Sequence, residues 1–207
     1  MFHNAEVAQL FPTCIWLQEL ENAAAVNRPM LAEVRRLMAS EPSRAKVEGT
    51  WQSGGELCRN PVFEPLVAAA AEAAKGAIRY LAWACQGLQI TDMWANVNYQ
   101  GHGARPHTHP NNFLAGVYYL QVPPDSGELV LYDPRPQTQI LAPLVTQRNL
   151  ANMTRHGIPP REGLLVLFPA WLMHSVVPNR SSVERVSVAF NLALKGPVGG
   201  ESGRVQF

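Results

Sequence analysis

The sequence is short of charge and of cysteine. Charged residues make up 16% of the 207 residues, the net charge is +1 and Lys and Arg do not cluster, so we expect no nucleic-acid or membrane partner. The three cysteines, Cys14, Cys58 and Cys85, are odd in number and widely spaced. This spacing predicts reduced thiols rather than a disulfide framework or a cysteine metal site. A reducing, cytoplasmic location is therefore expected.

Long apolar runs are also missing. The longest, Leu164–Val177, is interrupted by Pro169 and His174 and is too short to span a membrane. The N-terminus lacks the basic segment and apolar run of a secretion signal. Hydrophobic residues make up 47% of the chain, enough for the core of one domain over residues 1–207. The sequence leaves the oligomeric state open, a homodimer included.

The N-terminal part, about residues 1–89, has helical periodicity. Pro29–Met38 carries apolar residues at i, i+3, i+4 and i+7 and follows Asn27, a residue type suited to cap a helix. A second helix is predicted to begin near Pro61 and to stop at Gly87. These helices are expected to pack on the rest of the fold.

From Ile90 onward the apolar period changes from 3.6 to two, which predicts strands over about residues 90–195. Leu114–Val122 and Glu128–Tyr132 flank a Pro-Pro-Asp-Ser-Gly turn and indicate a hairpin. Further strands are predicted at Ile140–Val145, Gly163–Phe168 and Arg185–Leu194. Helices followed by short strands predict a mainly β fold, an antiparallel barrel or sandwich braced by helices.

The last predicted strand has one apolar and one polar face. Its alternating residues are Val186, Val188, Phe190 and Leu192 on the apolar face and Arg185, Ser187, Ala189 and Asn191 on the polar face. In a barrel covered by helices, we expect the apolar face to pack under the helices and the polar face to line the cavity.

Three of the six histidines lie in two short segments. His107 and His109 are two residues apart, so on a strand both rings point the same way and can meet one ion. His174, far downstream, would complete three ligands and leave the other side of the ion open. Arg185 follows eleven residues later, with Ser187 two residues beyond it, and the pair can bind a carboxylate by a forked contact. A buried arginine would otherwise be costly, which favours an anionic ligand.

This order of motifs resembles the 2-oxoglutarate- and Fe(II)-dependent oxygenase superfamily, which carries HxD/E, a distal His and Arg-x-Ser. It is more similar still to a group of uncharacterised bacterial and phage proteins within it that have an HxH…H…RxS pattern. The similar segments are Leu10–Thr13, Trp94–Asn98, His107–Pro110, Ala115–Leu120, Asp133–Arg135, Phe168–Pro169 and Arg185–Asn191. The resemblance implies a double-stranded β-helix (jelly-roll, cupin-like) barrel braced by two or more helices.

The resemblance also implies the metal ligands. His107 and His174 correspond to the two histidine ligands, and His109 stands where the wider superfamily has a carboxylate. Three neutral ligands leave the metal more positive by about one charge, so zinc or nickel join iron as credible occupants of a purified sample. Asp133 is another carboxylate that could supply a ligand, although its Tyr-Asp-Pro-Arg context favours a turn.

The co-substrate contacts follow from the same resemblance. Arg185 corresponds to the residue that pairs with the distal carboxylate of 2-oxoglutarate, with Ser187 beside it. Tyr119 is similar in position to a tyrosine that shares this contact, and Tyr118 is the alternative. Asn96 and Asn98, on the polar face of the preceding strand, either hydrogen-bond the co-substrate or only end that strand. Trp51–Ser53 is expected to form a lid or a surface turn.

The function implied is an Fe(II)- and 2-oxoglutarate-dependent dioxygenase that hydroxylates an unknown small-molecule or peptide substrate with dioxygen. His107, His109, His174 and Arg185 would be its catalytic residues. One alternative is a three-histidine dioxygenase of cupin type that does not use 2-oxoglutarate. The other is a non-catalytic barrel that binds a metal and an anion.

Overall fold

Two α-helices and twelve strands occur in residues 6–44, 49–136, 140, 143–200 and 202–206, which the computed structural model describes. In chain order they are β1 (Trp16–Glu19), α1 (Ala23–Ser40), β2 (Thr50–Gln52), α2 (Glu64–Leu81), β3 (Gly87–Asn98), β4 (Ala104–His107), β5 (Leu114–Gln121), β6 (Leu129–Tyr132), β7 (Arg155–Ile158), β8 (Leu164–Pro169), β9 (His174–Val176), β10 (Arg185–Lys195), β11 (Pro197–Val198) and β12 (Val205–Gln206). Short 3₁₀ helices occur at Pro42–Arg44, Leu57–Arg59 and Pro61–Phe63.

The strands form two main antiparallel sheets. The large sheet has six strands in the order β1-β8-β5-β10-β3-β2, and the small sheet has four in the order β4-β9-β6-β7. β11 and β12 pair separately. The predicted mainly β fold with helices from the N-terminal half is confirmed, whereas closure of the two sheets into a barrel stays a prediction.

The first helix begins earlier than its sequence pattern predicts. α1 starts at Ala23, so Asn27 lies inside the helix and does not cap it. The side chain of Asn27 is buried and donates to the backbone carbonyl groups of Tyr119 and Leu120 at 3.3 and 3.1 Å. The predicted N-cap is therefore wrong, because these long-range hydrogen bonds use the amide to tie α1 to β5.

The second helix is close to its predicted start but shorter than predicted. Asn60 accepts a hydrogen bond from the backbone N–H of Val62, and a 3₁₀ turn leads into α2 at Glu64. The helix ends at Leu81, where Ala82 adopts a left-handed conformation. Gly87, the predicted stop, instead begins β3.

Three strand predictions need correction. β5 and β6, predicted to pair as a hairpin, lie in different sheets, where β5 pairs with β8 and β10 and β6 with β7 and β9. β1 and β2, from the part predicted as helical, belong to the large sheet. Of the predicted strand 140–145, residues 141–142 lie outside the described residues, and residues 140 and 143–145 are not in a strand.

The large sheet separates two hydrophobic clusters. Val186, Val188 and Phe190 of β10 lie in the cluster that includes buried residues of α1 and α2. Alternate residues of β5 and β8 face the other way and contact β6 of the small sheet. Arg185, Ser187 and Ala189 line a cavity between the sheets. The predicted inversion, apolar face toward the helices and polar face toward the cavity, is therefore confirmed.

None of the helices within the described ranges combines the length and apolar character needed to cross a membrane.

Candidate active site

The three predicted histidine ligands lie together. One ring nitrogen from each of His107, His109 and His174 lies within 4.8 Å of the other two. His107 and His174 face each other across β4 and β9, with ring centroids 4.3 Å apart. His109 follows β4, and its backbone N–H donates to the carbonyl group of Ala170 at 2.9 Å. Two strands of the small sheet and the loop after β4 thus bring the rings to one point.

Backbone carbonyl groups determine which nitrogens are available to a metal. The Nδ1 atoms of His107 and His174 lie 2.7 and 2.9 Å from the carbonyl oxygens of Arg105 and Leu172. A carbonyl oxygen only accepts, so each Nδ1 carries the proton and each Nε2 presents a lone pair. The Nε2 atoms of His109 and His174 are 3.2 Å apart, close enough to bind the same ion.

Burial keeps two of the imidazoles neutral. The pKa of His109 and that of His174 are both lowered to about 4, mainly by burial and in smaller part by the nearby His107. Near pH 7 these rings are therefore in the uncharged form that binds metals. Three neutral nitrogen donors fit iron(II), zinc or nickel.

A cavity of about 140 Å³ connects the histidines with the polar face of the large sheet. The small sheet provides one wall, which we call the histidine wall and which contains His107 and His174. The large sheet provides the other, which we call the arginine wall and which contains Asn96, Asn98, Tyr119, Arg185 and Ser187. All the predicted site residues therefore line one cavity.

Arg185 is a buried cation held by neutral groups. It is 2% exposed, and its Nη1 donates to the carbonyl groups of Ser126 and Gly127 at 2.7 and 3.1 Å. Its Nη2 donates to Oδ1 of Asn98 at 2.8 Å, and its Nε has no hydrogen-bond partner. No carboxylate of the described residues forms an ion pair with it, and burial lowers its pKa from the ordinary value.

Two hydroxyl groups lie on the arginine wall near Arg185. Ser187 and Tyr119 face each other across β10 and β5, both are buried, and neither hydroxyl has a hydrogen-bond partner within the described part of the chain. Burial raises the pKa of Tyr119 to about 12, so its hydroxyl keeps its proton and can donate. Tyr118 points the other way, and its hydroxyl donates to Asn27 at 2.7 Å. Of the two tyrosines, Tyr119 lines the cavity.

The two asparagines occupy the cavity-lining side of β3. Oδ1 of Asn98 accepts from Arg185, and Nδ2 donates to Oγ1 of Thr50 at 3.1 Å. Oδ1 of Asn96 accepts from Nε2 of Gln52 at 2.6 Å and from Nε1 of Trp94 at 3.2 Å. Asn98 thus contacts Arg185 directly, and Asn96 lies beside Ser187 on the neighbouring strand.

Sequence reasoning missed the residues that support Arg185 and the asparagines. Thr50 and Gln52 line the cavity from β2, which overlaps the segment Trp51–Ser53 that was predicted as a lid or a surface turn. Their signal was present, since polar Thr50 and Gln52 flank Trp51, which is 1% exposed and packs toward the helices. The carbonyl groups of Ser126 and Gly127 lie in the predicted Pro-Pro-Asp-Ser-Gly turn, but turn composition does not indicate that they face Arg185.

Asp133 is not part of the histidine cluster. Its carboxylate accepts hydrogen bonds from the backbone and guanidinium group of Arg135, which lowers its pKa. The favoured interpretation as a turn residue is consistent with these contacts. Among the described residues, the candidate ligand group contains the three histidines and no carboxylate.

Two antiparallel sheets thus enclose three imidazoles that could hold a metal ion, together with a buried arginine. Residues 92–191 match the family described as "Putative 2OG-Fe(II) oxygenase", where 2OG is 2-oxoglutarate. This segment contains the three clustered histidines and Arg185. Over these residues the chain is therefore similar to that family. A search of curated protein sequences finds no match.

Solved structures share the fold over most of the chain. A prolyl-4-hydroxylase from Pseudomonas putida is 19% identical, with a TM-score of 0.65 over 89% of this chain and 94% of that one. SnoN, an α-ketoglutarate-dependent epimerase of nogalamycin biosynthesis, is 20% identical, with a TM-score of 0.63 over 87% and 78%. HygX from Streptomyces hygroscopicus, solved with nickel and 2-oxoglutarate, is 15% identical, with a TM-score of 0.62 over 87% and 82%.

Proposed function

We propose that this protein is an Fe(II)- and 2-oxoglutarate-dependent dioxygenase of the hydroxylase type. The overall reaction consumes 2-oxoglutarate, dioxygen and a substrate R–H and yields succinate, carbon dioxide and R–OH. The family match over residues 92–191 and the three converging imidazoles support this class. The metal and the 2-oxoacid supply the oxidising chemistry when bound, and the protein supplies orientation and a dry cavity.

The buried charge of Arg185 is the observation that carries the proposal. Removing a guanidinium group from water costs several kcal/mol unless a partner compensates it. Here the partners are two carbonyl groups and an amide, all neutral, and Nε remains unpaired. An anionic ligand with a carboxylate group would supply the missing negative charge and the missing acceptor.

Each predicted site residue has a role in this proposal. His107, His109 and His174 hold the metal through ring nitrogens. Arg185 binds the distal carboxylate of 2-oxoglutarate, and the hydroxyl groups of Ser187 and Tyr119 donate to the same carboxylate. The burial of all three side chains and the unpaired Nε of Arg185 support this assignment.

Asn96 and Asn98 complete the co-substrate pocket. Asn98 uses its Oδ1 on Arg185 and one N–H on Thr50, and we assign it an action on the ligand through the guanidinium group. Asn96 uses its Oδ1 within the protein, and its amide N–H₂ has no acceptor in the described part of the chain. We assign that group to an oxygen atom of the bound co-substrate.

His109 favours a second candidate function. A neutral ligand in place of the superfamily carboxylate makes the site similar to three-histidine dioxygenases of cupin type, which use no 2-oxoacid. In that case Arg185 would bind a carboxylate of the substrate itself. Oxygen consumption that does not depend on 2-oxoglutarate would support this candidate over the first.

The test uses purified protein with Fe(II), ascorbate and 2-oxoglutarate. We expect slow release of succinate without prime substrate, with an equal amount of carbon dioxide. Arg185→Ala should abolish release while metal binding persists. Absence of both succinate release and calorimetric binding of 2-oxoglutarate would contradict the proposal.

The proposal extends to the partners, location and domain organisation of the protein. Dioxygen and a small molecule or peptide are the proposed partners. Three half-buried, unpaired cysteines (Cys14, Cys58 and Cys85) support a reducing, cytoplasmic location. We further propose one domain over residues 1–207 with a double-stranded β-helix core, because the helices share a core with the large sheet.

A further inference from the structure

The polar residues of the arginine wall form two rows across neighbouring strands. The Asn96 row comprises Gln52, Asn96, Ser187 and Tyr119, which face one another in turn across β2, β3, β10 and β5. The Asn98 row comprises Thr50, Asn98 and Arg185 across β2, β3 and β10. Both rows begin on β2, at the edge of the large sheet.

Donor-only groups determine the orientation of both asparagine amides. The indole N–H of Trp94 can only donate, so the Asn96 atom 3.2 Å away must be Oδ1. Likewise the Nη2 of Arg185 can only donate, so the Asn98 atom 2.8 Å away must be Oδ1. The N–H₂ group of Asn98 must then face Thr50, and that of Asn96 is left for the cavity.

The β2 side chains stabilise these orientations. Oγ1 of Thr50 accepts from Nδ2 of Asn98 at 3.1 Å, and a reversed Asn98 amide would place N–H₂ against the guanidinium group. Nε2 of Gln52 donates to Oδ1 of Asn96 at 2.6 Å and adds to the bond from Trp94. An amide that accepts two donors on its oxygen cannot reverse without losing both bonds.

We propose that β2 orients the anion pocket. Thr50 holds Arg185 through Asn98, and Gln52 directs the N–H₂ group of Asn96 into the cavity toward a carboxylate oxygen. Thr50 and Gln52 are positioning residues, since neither needs to touch the ligand. This inference rests on the proposed function, because 2-oxoglutarate is the ligand whose affinity it concerns.

The first test measures calorimetric binding of 2-oxoglutarate to protein loaded with Mn(II) in place of Fe(II). Thr50→Val keeps the β-branched shape and removes the acceptor, and we expect affinity to fall on the order of two- to tenfold. Thr50→Ser keeps the hydroxyl and should stay within about twofold of the wild type. Mn(II) affinity should be the same in all three proteins.

A double-mutant cycle separates positioning from general loss of structure. If Thr50 acts through Asn98, Thr50→Val should have no further effect on 2-oxoglutarate binding in an Asn98→Ala background. Likewise, if Gln52 acts through Asn96, Gln52→Met should have no further effect on 2-oxoglutarate binding in an Asn96→Ala background. Effects that add fully in both cycles would overturn the inference.

The outcomes also distinguish this inference from the proposed function. Wild-type protein that binds no 2-oxoglutarate would overturn both. Wild-type binding that Thr50→Val and Gln52→Met leave unchanged would overturn the role of β2 alone. Loss of binding in Thr50→Ser equal to that in Thr50→Val would also contradict it, because the hydroxyl would then not be the feature that matters.

Discussion

The two walls of the cavity are built in different ways. On the histidine wall, backbone carbonyl groups two residues away orient the rings of His107 and His174. On the arginine wall, side chains of β2 and β3 and backbone carbonyl groups of the loop between β5 and β6 orient Arg185. The first arrangement is local in sequence and the second depends on strand register. Metal binding and co-substrate binding should therefore respond to different substitutions.

Arg185→Ala is expected to give the largest difference between co-substrate binding, which should be lost, and metal binding, which should persist. Truncating one partner of a buried charged contact costs about 2–5 kcal/mol, so 2-oxoglutarate affinity should fall by roughly 30-fold to several thousandfold. Calorimetry on Mn(II)-loaded protein measures this loss. Mn(II) affinity should be unchanged, because the hydrogen bonds of Arg185 within the described residues go to Ser126, Gly127 and Asn98 and not to the clustered histidines.

Two controls accompany this change. Arg185→Lys keeps the charge but loses the forked geometry, and should bind 2-oxoglutarate with intermediate affinity. Arg180→Ala removes an exposed arginine and should have no effect. Loss of metal binding in Arg185→Ala would show that the two walls are not independent.

On the histidine wall, His174→Ala removes one of three ligands. Removing a residue that only hydrogen-bonds to a metal ligand lowers metal affinity about 10- to 100-fold. Removing a ligand itself should therefore lower it on the order of 100-fold or more. Titration with Fe(II) or Mn(II) under anaerobic conditions measures it. His156→Ala is the matched control, because His156 is exposed and outside the cluster.

A smaller change in the opposite direction is expected from His109→Asp. A carboxylate at this position lowers the charge of the metal centre by one unit, so Mn(II) should bind about tenfold more tightly. Direct titration of the metal gives the affinity. Weaker binding would mean that the loop after β4 cannot direct a shorter side chain at the ion, and that position 109 needs the reach of an imidazole.

The smallest effects on binding are expected from Tyr119 and Tyr118, which lie on opposite faces of β5. Tyr119→Phe should weaken 2-oxoglutarate binding on the order of tenfold, because one hydrogen bond from a hydroxyl group to the carboxylate is lost. Tyr118→Phe should leave binding unchanged and lower the free energy of unfolding by about 0.5–1.5 kcal/mol, because it loses its bond to Asn27. Calorimetry and urea denaturation measure the two quantities. Weaker 2-oxoglutarate binding in Tyr118→Phe would contradict the conclusion that Tyr119, and not Tyr118, lines the cavity.

The sequence predicts the histidine wall better than the arginine wall for a physical reason. Two histidines at i and i+2 on an extended chain share a face, so their convergence follows from local geometry. The polar face of β10 was also predictable, because strand alternation separates Arg185 and Ser187 from the apolar residues between them. The choice between Tyr118 and Tyr119 required the register of β5 against β10.

Other features depend on contacts far apart in sequence. Asn27 has the composition signal of a helix cap, but its bonds to β5 were invisible locally. β5 and β6 lie on either side of a turn signal and still separate into two sheets, since turn composition does not specify pairing. Gly127, which has a φ of 81°, brings its carbonyl to Arg185 through a conformation that favours glycine.

A structure of the protein soaked with Fe(II) and 2-oxoglutarate, with anomalous scattering at the iron edge, measures both walls at once. We expect a single peak about 2.0–2.2 Å from one nitrogen of each of His107, His109 and His174, as in other imidazole–metal bonds. The far carboxylate should lie within hydrogen-bond distance of Arg185. Iron bound away from these rings, or a carboxylate held by another residue, would contradict the shared cavity on which the proposed function depends.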